Sequence, residues 1–390
     1  MITRTGFLIK RTPGDDTHRK ALTVRPVVNG DFGVRPPAFK VYKQSKENIC
    51  VPRYYGQEHC DSYIDKRPVP QSVNFSFKGT LRDSTRQNEA LDKSIKALNT
   101  IGGGILSLPC GYGKTTVSLA IAAKMKVRTM VIVHKEFLAN QWRERIRQFC
   151  PDATIGVVQQ NKVEVDCDII IAMLQSISMR DYPFSTFEKI GMVIIDEAHH
   201  ICARVFSQAL FRFCPKYTLG LSATPERKDG LTDILYWFLG PSILTIEREL
   251  RGRTIVKTLN FDCAFFKSPP PVTRFGKVSL TQMITDLVEH GERNGFIEKV
   301  ARKYSQGSRR LLILSDRRFH CQYLAEVLGD VGVGLYMGGM KEADLTESSK
   351  KQIIFATFSQ AHEGLDIPSL DTVILATPKS DIVQSIGRIM

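Results

Sequence analysis

The stretch that decides the fold is residues 104–116, Gly-Ile-Leu-Ser-Leu-Pro-Cys-Gly-Tyr-Gly-Lys-Thr-Thr. The apolar run Ile105–Leu108 leads into a loop with two glycines, and the helix-prone segment Thr115–Lys126 follows. This strand–loop–helix context is typical of a phosphate-binding loop, because glycines let backbone N–H groups converge on phosphate oxygens at a helix N-terminus. One departure is that Leu108 stands where the full pattern has its first glycine.

The loop predicts which residues contact a nucleoside triphosphate. Lys114 would reach the β- and γ-phosphates, and the Thr115 hydroxyl would bind Mg²⁺. The predicted nucleotide-binding residues of this loop are Pro109, Cys110, Gly111, Tyr112, Gly113, Lys114, Thr115 and Thr116.

A pair of carboxylates follows another apolar run, at Asp196 and Glu197, 82 residues after Lys114. Ligands bind at the carboxyl ends of parallel strands, so both acids are expected at the binding edge of the sheet. Asp196 would hold Mg²⁺ and Glu197 would orient and deprotonate the attacking water. The cofactors predicted are therefore ATP and Mg²⁺. A metal site at His199 and His200 is disfavoured because no third ligand lies nearby, and His199 is interpreted as a polar link to the next motif.

The composition restricts the function classes. The chain has 390 residues, 43% of them hydrophobic, and 54 Lys+Arg against 40 Asp+Glu. Residues 1–80 hold 14 basic and 7 acidic residues, so the N-terminal part is the most basic, as expected of a polyanion-binding protein. Nine scattered cysteines without metal-ligand spacing indicate thiols in a reducing compartment. With neither a signal peptide nor an apolar run of membrane-spanning length, the protein is expected to be soluble and intracellular, in nucleus or cytoplasm.

Apolar runs alternate with amphipathic stretches from about residue 80, which predicts an α/β fold with parallel strands and crossover helices. The helices predicted in the first block include Thr115–Lys126 and Glu136–Phe149. The predicted domain limits are 1–78 for a basic, β-rich N-terminal accessory domain, 79–245 for the first α/β block, 246–305 for a connecting segment and 306–390 for the second block. The predicted strands are Gly104–Leu108, Thr129–Val133, Asp168–Met173, Met192–Ile195, Tyr217–Leu221, Arg310–Leu314, Val331–Leu335, Gln352–Thr357 and Thr372–Ala376.

With Asp196-Glu-Ala-His199, the sequence resembles superfamily 2 helicases of the DEAH-box type. Ser222-Ala-Thr-Pro225 matches the motif III that couples ATP hydrolysis to movement in that family, and Glu226–Gly230 resembles the xeroderma pigmentosum group B-like DNA helicases. Gln87 matches the adenine-reading glutamine. His134-Lys135 through Trp142 resembles motif Ia, and Gln175-Ser176 belongs to the next strand-binding motif. The resemblance implies that His134, Lys135, Gln175 and Ser176 contact the nucleic-acid backbone, and that Ser222, Thr224 and His199 act in coupling.

The second block carries the later motifs of the same family. Thr357 matches the strand-contacting threonine of motif V, whose Gly364 and Asp366 would line the nucleotide cleft. Gln384-Ser-Ile-Gly-Arg388 matches motif VI, in which Gln384 would act in coupling and Arg388 would be an arginine finger. The resemblance implies two tandem RecA-like parallel-sheet lobes, with ATP bridging them. The family pattern continues beyond Met390, so the second lobe is expected to be incomplete at the C-terminus and hydrolysis by this chain is expected to be impaired.

The expected function is that of an ATP-dependent helicase or translocase, with DNA favoured as the track. An RNA helicase stays open, as does a translocase that moves on duplex DNA without separating strands, or a nucleotide-gated nucleic-acid-binding scaffold without turnover. The run Cys50–Gly56 resembles helicases of large nucleocytoplasmic DNA viruses, some of which act in transcript release. Transcription or repair machinery is therefore a candidate partner, whereas a membrane is not.

Overall fold

The computed structural model describes residues 1–27, 36–109, 111–224, 226–247, 255–274, 276–363, 367, 369–379 and 382. The chain divides into two compact units, one formed by the described residues up to Glu247 and the other by those from Ile255 onward. No helix in the described ranges is long and apolar enough to cross a bilayer.

The first unit begins with a small antiparallel sheet. Four strands follow the order β1-β2-β6-β5, and β3 pairs with β4 separately. The sheet packs on its own small core, which includes Phe7, Leu22 and Tyr55. The elements of this region are β1 (Ile2–Thr3), β2 (Gly6–Lys10), α1 (Thr17–Ala21), β3 (Thr23–Val24), β4 (Phe39–Lys40), β5 (Lys43–Gln44), β6 (Asn48–Val51) and α2 (Arg53–Glu58).

Helix α2 forms hydrogen bonds between this region and the rest of the first unit. The Tyr54 hydroxyl lies 2.8 Å from the Thr218 hydroxyl in a buried hydrogen bond. The Arg53 guanidinium donates to the carbonyl of Lys216 at 2.8 Å and to that of Ile101 at 3.2 Å. These bonds matter energetically because a buried polar group left without a partner costs about 1–3 kcal/mol.

The main sheet of the first unit has eight strands in the order β10-β9-β11-β8-β12-β13-β7-β14. All neighbours are parallel except β10 and β9. The predicted strands Thr129–Val133 and Met192–Ile195 are confirmed at both ends. The strands are β7 (Gly103–Ser107), β8 (Thr129–Val133), β9 (Ile155–Gln159), β10 (Lys162–Val163), β11 (Ile169–Met173), β12 (Met192–Ile195), β13 (Tyr217–Ser222) and β14 (Ser242–Thr245).

Apolar side chains are buried on both faces of this sheet. Along β8, Met130 and Ile132 belong to one core, whereas Val131 and Val133 belong to the other. A parallel sheet covered on both faces explains why its central strands are largely apolar on both faces. The helices of the unit after α2 are α3 (Gln87–Thr100), α4 (Lys114–Met125), α5 (Glu136–Phe149), α6 (Leu174–Met179), α7 (Arg204–Ala209) and α8 (Asp233–Leu239).

The second unit has a four-stranded sheet in the order β16-β17-β15-β18, parallel throughout. Its predicted strands are all present, and their ends agree with the prediction or differ by at most two residues. Ile297 and Ala301, from the segment predicted to be a connection, lie in the core of this unit. Its elements are α9 (Leu280–Glu289), α10 (Gly291–Tyr304), β15 (Leu311–Ser315), α11 (Arg318–Val327), β16 (Val333–Tyr336), α12 (Glu342–Ser348), β17 (Ile353–Thr357), α13 (Phe358–Glu363) and β18 (Thr372–Leu375).

Both large sheets are parallel and flanked by helices, and the first is preceded by a small antiparallel sheet. This arrangement is the predicted α/β fold with tandem RecA-like lobes. The predicted domain limits stay a prediction. Strand β14 ends just before the segment predicted as the connection, and α9 and α10 lie within that segment, between residues 280 and 304.

Candidate ATP site

Three loops meet at one edge of the first sheet. Strand β13 lies between β7 and β12, and all three strands run parallel. Ile195 pairs with Gly220, and Gly220 pairs with Ile105, so the three strands end at nearly the same level. The phosphate loop, the acid pair and motif III follow these three ends. The sheet therefore brings together motifs that are spread over residues 109–225 of the sequence.

The phosphate loop has the backbone that its sequence predicts. Gly111 has φ +81° and Gly113 has φ +79°, both in the left-handed region that favours glycine. Helix α4 starts at Lys114, with Thr115 and Thr116 in its first turn. The Lys114 ammonium donates to the carbonyl of Leu108 at 3.3 Å. Pro109 and Tyr112 are half-buried beside it, and Cys110 lies outside the described residues.

The Leu108 departure has a structural explanation. The Leu108 side chain is fully buried in the core between sheet and helices, and its N–H donates to the Ser222 carbonyl at 3.1 Å. The leucine side chain at this position therefore packs into the core and does not enter the loop, although the full pattern has a glycine here.

Gln87 lies against the phosphate loop at the start of α3. Its side chain is 1% exposed; its amide nitrogen donates to the Tyr112 carbonyl at 2.9 Å, and its oxygen accepts from the Arg82 N–H at 2.9 Å. The Arg82 guanidinium also donates to the Gly111 carbonyl at 3.2 Å. The predicted adenine-reading residue is thus held next to the loop by both ends of its amide.

The Asp196 carboxylate is fixed by two donors. The indole N–H of Trp142 donates to Oδ2 at 2.8 Å, and the Glu197 N–H donates to Oδ1 at 3.0 Å. Burial raises the pKa of the Asp196 carboxyl, and the adjacent Glu197 carboxylate raises it further. The Trp142 hydrogen bond and the Lys114 charge act in the opposite direction. Lys114 is therefore close enough to influence Asp196, as one shared site requires.

Glu197 has the geometry of a poised base. Its backbone lies in the left-handed region at φ +47°, which is uncommon for a residue with a side chain. The side chain is buried, and its Oε2 has no hydrogen-bond partner among the residues that the structure describes. The Nδ1 atom of His199 lies 3.6 Å from Oε2. A buried carboxylate oxygen without a partner has a free lone pair for a water molecule.

A stack of three imidazoles runs from the acid pair to motif Ia. The ring centroids of His199 and His200 are 4.3 Å apart, and those of His200 and His134 are 3.9 Å apart. The Gln175 amide donates to the His134 carbonyl at 2.5 Å. The structure therefore places two predicted nucleic-acid contacts, His134 and Gln175, in contact with each other and in line with Glu197.

Other predicted nucleic-acid contacts occupy the same end of the sheet. Lys135 is half-buried just before α5. Ser176, in α6, accepts from the Gln160 N–H through its hydroxyl at 2.9 Å, so this hydroxyl already has a structural partner.

Motif III lies between the phosphate loop and the acid pair. Ser222 is fully buried at the end of β13, and its hydroxyl accepts from the Thr224 N–H at 3.2 Å. Further along, the Arg227 guanidinium donates to the His199 carbonyl at 2.6 Å and pairs with Asp229. The segment after motif III is thus bonded directly to the segment after the acid pair.

The second unit contains the remaining predicted residues. Thr357 ends β17 in register with Ser315 of β15, and its hydroxyl lies 3.3 Å from that of Ser359. Gly364, Asp366, Gln384 and Arg388 lie outside the described residues, so their roles stay predictions.

The residues present suit ATP and Mg²⁺. A glycine loop with open space at Gly111 precedes a helix N-terminus, which is the environment that phosphate groups prefer. Mg²⁺ keeps several waters and is usually held by one or two carboxylates together with substrate phosphates. Asp196 is a carboxylate of that kind, and the Thr115 hydroxyl stands where a phosphate-loop Ser or Thr binds Mg²⁺.

Sequence reasoning missed three contacts of this site. They are the Trp142 indole on Asp196, the Arg82 guanidinium on Gly111 and the Arg227 guanidinium on His199. A tryptophan at an otherwise apolar helix position was a usable signal, since a buried indole N–H normally finds an acceptor. The two arginines carried no comparable signal.

The fold and the candidate site together indicate an ATPase with a RecA-like sheet. Residues 80–227 match the family described as the res subunit of type III restriction enzymes. Over its full length the chain is 35% identical to a candidate ATP-dependent RNA helicase of Acanthamoeba polyphaga mimivirus, and the match covers 78% of that protein. The chain therefore belongs to the superfamily 2 ATP-dependent helicases.

Two further relatives support the assignment. A candidate helicase of Invertebrate iridescent virus 6 is 27% identical over 343 residues, which cover 82% of this chain and 76% of the relative. A candidate helicase of Escherichia phage T5 is 28% identical over 290 residues, which cover 72% of this chain and 62% of the relative. These similar proteins come from viruses and a phage.

Proposed function

We propose that the protein couples ATP hydrolysis to movement along a nucleic-acid strand, with DNA as the preferred track. The observation that carries the proposal is the His199–His200–His134 stack, which connects the Glu197 carboxylate to the segment that resembles a strand-binding motif. An ATPase without a nucleic-acid track has no need for such a connection.

The chemistry follows from the positions of four side chains. Lys114 and the N-terminus of α4 would neutralise phosphate charge, and Thr115 with Asp196 would hold Mg²⁺. When bound, Mg²⁺ stabilises the negative charge on the β- and γ-phosphate oxygens. Glu197, with its free Oε2, would accept a proton from the attacking water. Its position beside His199 gives that proton transfer a link to the rest of the stack.

Coupling would use the contacts around motif III. Ser222 accepts from Thr224, and Arg227 bonds to the carbonyl of His199. A change of the acid-pair loop on hydrolysis would therefore reach both the motif III segment and the histidine stack. The predicted roles of Thr357, Gly364, Asp366, Gln384 and Arg388 in the second unit are part of the same proposal.

The preference for DNA rests on the segment Glu226–Gly230, which resembles that of xeroderma pigmentosum group B-like DNA helicases. The strongly basic N-terminal region supports binding of either nucleic acid. RNA is the second candidate track, because the mimivirus relative is named as an RNA helicase. A role in viral transcript release, with transcription machinery as partner, is the corresponding biological proposal.

The test is ATP turnover by the protein with double-stranded DNA, single-stranded DNA or RNA at matched salt, because backbone binding depends strongly on salt. We expect one nucleic acid to stimulate turnover. In Glu197→Gln, stimulated turnover should fall by about 10²-fold or more, since a general base contributes about 10²–10⁴-fold. Nucleotide binding should remain, because the phosphate loop is unchanged.

The control is His59→Gln, a histidine of the N-terminal region away from the stack, which should keep its stimulation. Turnover that no nucleic acid changes would contradict the motor and favour a nucleotide-gated scaffold. Stimulation by RNA alone would show that RNA is the track, and the proposed mechanism of coupling would be unchanged.

A further inference from the structure

The indole of Trp142 is a buried donor aimed at the acid pair. Trp142 is 1% exposed and lies on α5, the helix that begins directly after His134 and Lys135. Its N–H donates to Asp196 Oδ2 at 2.8 Å, and the two residues are 54 positions apart in the sequence. The bond therefore depends on how α5 packs on the sheet.

The carboxylate of Asp196 is held from both sides. Oδ1 accepts from the Glu197 N–H at 3.0 Å, while Oδ2 accepts from Trp142. With one donor on each oxygen, rotation of the carboxylate is restricted, yet each oxygen keeps a second lone pair for another partner. The Asp196 N–H is itself bonded to the Ile132 carbonyl at the end of β8. Backbone and side chain of Asp196 are thus both fixed before any ligand arrives.

We infer that Trp142 is a positioning residue that orients the Asp196 carboxylate toward Mg²⁺ in the nucleotide site. The inference rests on the proposed function, in which Asp196 binds Mg²⁺. A hydrogen bond to a charged acceptor is stronger and more directional than one between neutral groups. Trp142 would therefore preorganise the metal ligand, and Mg²⁺ would meet a carboxylate already in place.

A purely structural role is the alternative. Trp142 packs in the same core as Leu138 and Ile146, and a buried indole N–H needs some acceptor in any case. The two roles differ in what they predict. A structural role affects stability alone, whereas a positioning role affects how strongly nucleotide binding depends on Mg²⁺.

The chain offers matched controls. Trp142→Phe keeps an aromatic ring and removes the donor. Leu138→Ala removes packing from the same buried face of α5 and leaves the donor intact. The chain has only two tryptophans, so Trp237→Phe produces a protein in which Trp142 is the sole indole emitter.

The first measurement is ADP binding by calorimetry at a series of Mg²⁺ concentrations. In Trp142→Phe, we expect the Mg²⁺ concentration for half-maximal binding to rise about tenfold, from the usual loss of a hydrogen bond to a charged group. Leu138→Ala should keep the wild-type Mg²⁺ dependence, although its thermal midpoint falls. Equal Mg²⁺ dependence in wild type and Trp142→Phe would overturn the inference.

The second measurement uses the emission of Trp142 in Trp237→Phe and needs no substitution at Trp142. With ADP present, addition of Mg²⁺ should change the emission, and the change should be absent when Asp196→Asn is added. If Trp142→Phe does not fold, the emission measurement alone tests the inference. Emission that does not change when Mg²⁺ is added would overturn it.

The two proposals can fail separately. A Mg²⁺-dependent emission change without nucleic-acid-stimulated turnover would contradict the motor function and support the role of Trp142. Stimulated turnover in the wild type, together with an unchanged Mg²⁺ dependence of ADP binding in Trp142→Phe, would support the motor function and contradict the role of Trp142.

Discussion

At the scale of single residues, the two loop glycines differ in what surrounds them. A Cβ on Gly113 would lie 2.5 Å from the Gln87 amide nitrogen, whereas a Cβ on Gly111 would meet nothing within 4 Å. Gln87 cannot simply rotate away, because both ends of its amide are bonded to the backbone. Gly113 therefore serves both the left-handed backbone and the placement of Gln87.

Gly113→Ala should disturb nucleotide binding more than Gly111→Ala. Both substitutions place a side chain at positive φ, which costs on the order of 1 kcal/mol. Only Gly113→Ala also displaces Gln87, so we expect its ADP affinity to fall further, by about another tenfold if one buried hydrogen bond is lost. Calorimetry on both variants measures the difference, and equal affinities would show that Gln87 is not displaced.

The residues of the site differ in how far the sequence could predict them. Lys114, Asp196 and Glu197 were predictable because each follows a buried strand in a short local pattern. The Trp142–Asp196 bond and the Arg227–His199 bond were not, because each depends on the lateral placement of segments distant in the chain. Local patterns do not contain that information.

At the scale of elements, strands buried on both faces were predicted best. Thr129–Val133 and Met192–Ile195 are continuous apolar runs, and the helix Glu136–Phe149 has a clear apolar stripe. Strand β9 was missed because its positions alternate between buried and half-buried. Strand β14 was missed because it is a short edge strand with only one buried residue.

Three elements of the second unit are linked by a buried histidine. His320 of α11 is fully buried, with Nδ1 2.9 Å from the Ser315 hydroxyl of β15 and Nε2 3.0 Å from Asn294 Oδ1 of α10. The Asn294 amide nitrogen donates to the Val288 carbonyl, so its oxygen faces His320 as an acceptor. Nε2 therefore donates to Asn294, and in the neutral ring Nδ1 accepts from the Ser315 hydroxyl.

The second unit should lose stability in mild acid through His320. Burial lowers the pKa of His320 to about 4, with a further effect from the Arg293 charge. Between pH 6.5 and about 4, the unfolded chain binds a proton that the folded chain excludes. Stability is therefore complete above pH 6.5 and falls as pH decreases, by up to about 3 kcal/mol.

Denaturant unfolding of the second unit at several pH values measures this loss. His320→Gln, which keeps a donor and an acceptor but does not titrate, is the control. The difference between the two proteins isolates His320 from the carboxyl groups. A difference that does not change between pH 6.5 and 4 would contradict the assignment.

At the scale of the whole molecule, the N-terminal sheet belongs to the same compact unit as the first RecA-like lobe. Helix α2 contributes buried polar contacts to this attachment, in which Tyr54 bonds to Thr218 and Arg53 bonds to two backbone carbonyls. The sequence predicted the β-rich character of this region from its short apolar runs. Its attachment could not be predicted, because Tyr54 and Tyr55 look equivalent in the sequence.

Tyr54→Phe should destabilise both the N-terminal region and the start of β13, which this attachment joins. The Tyr54 hydroxyl bonds to Thr218 at the start of β13, whereas the Tyr55 hydroxyl bonds to His18 within the N-terminal region at 3.0 Å. Loss of the buried bond should cost about 1 kcal/mol. We expect faster hydrogen exchange in both β6 and β13 in Tyr54→Phe, and in the N-terminal region alone in Tyr55→Phe. Unchanged exchange of β13 in Tyr54→Phe would contradict this prediction.

The position of β14 has a mechanical consequence. This strand is the last of the first unit, it pairs in parallel with β7, and the chain leaves the unit directly after it at Glu247. A pull along the axis of β14 would load the β7–β14 hydrogen bonds together in shear, whereas a pull across that axis would open them one at a time. The strand that feels this tension most directly is β7, whose end is the phosphate loop. Tension along β14 would therefore reach the candidate phosphate loop through β7.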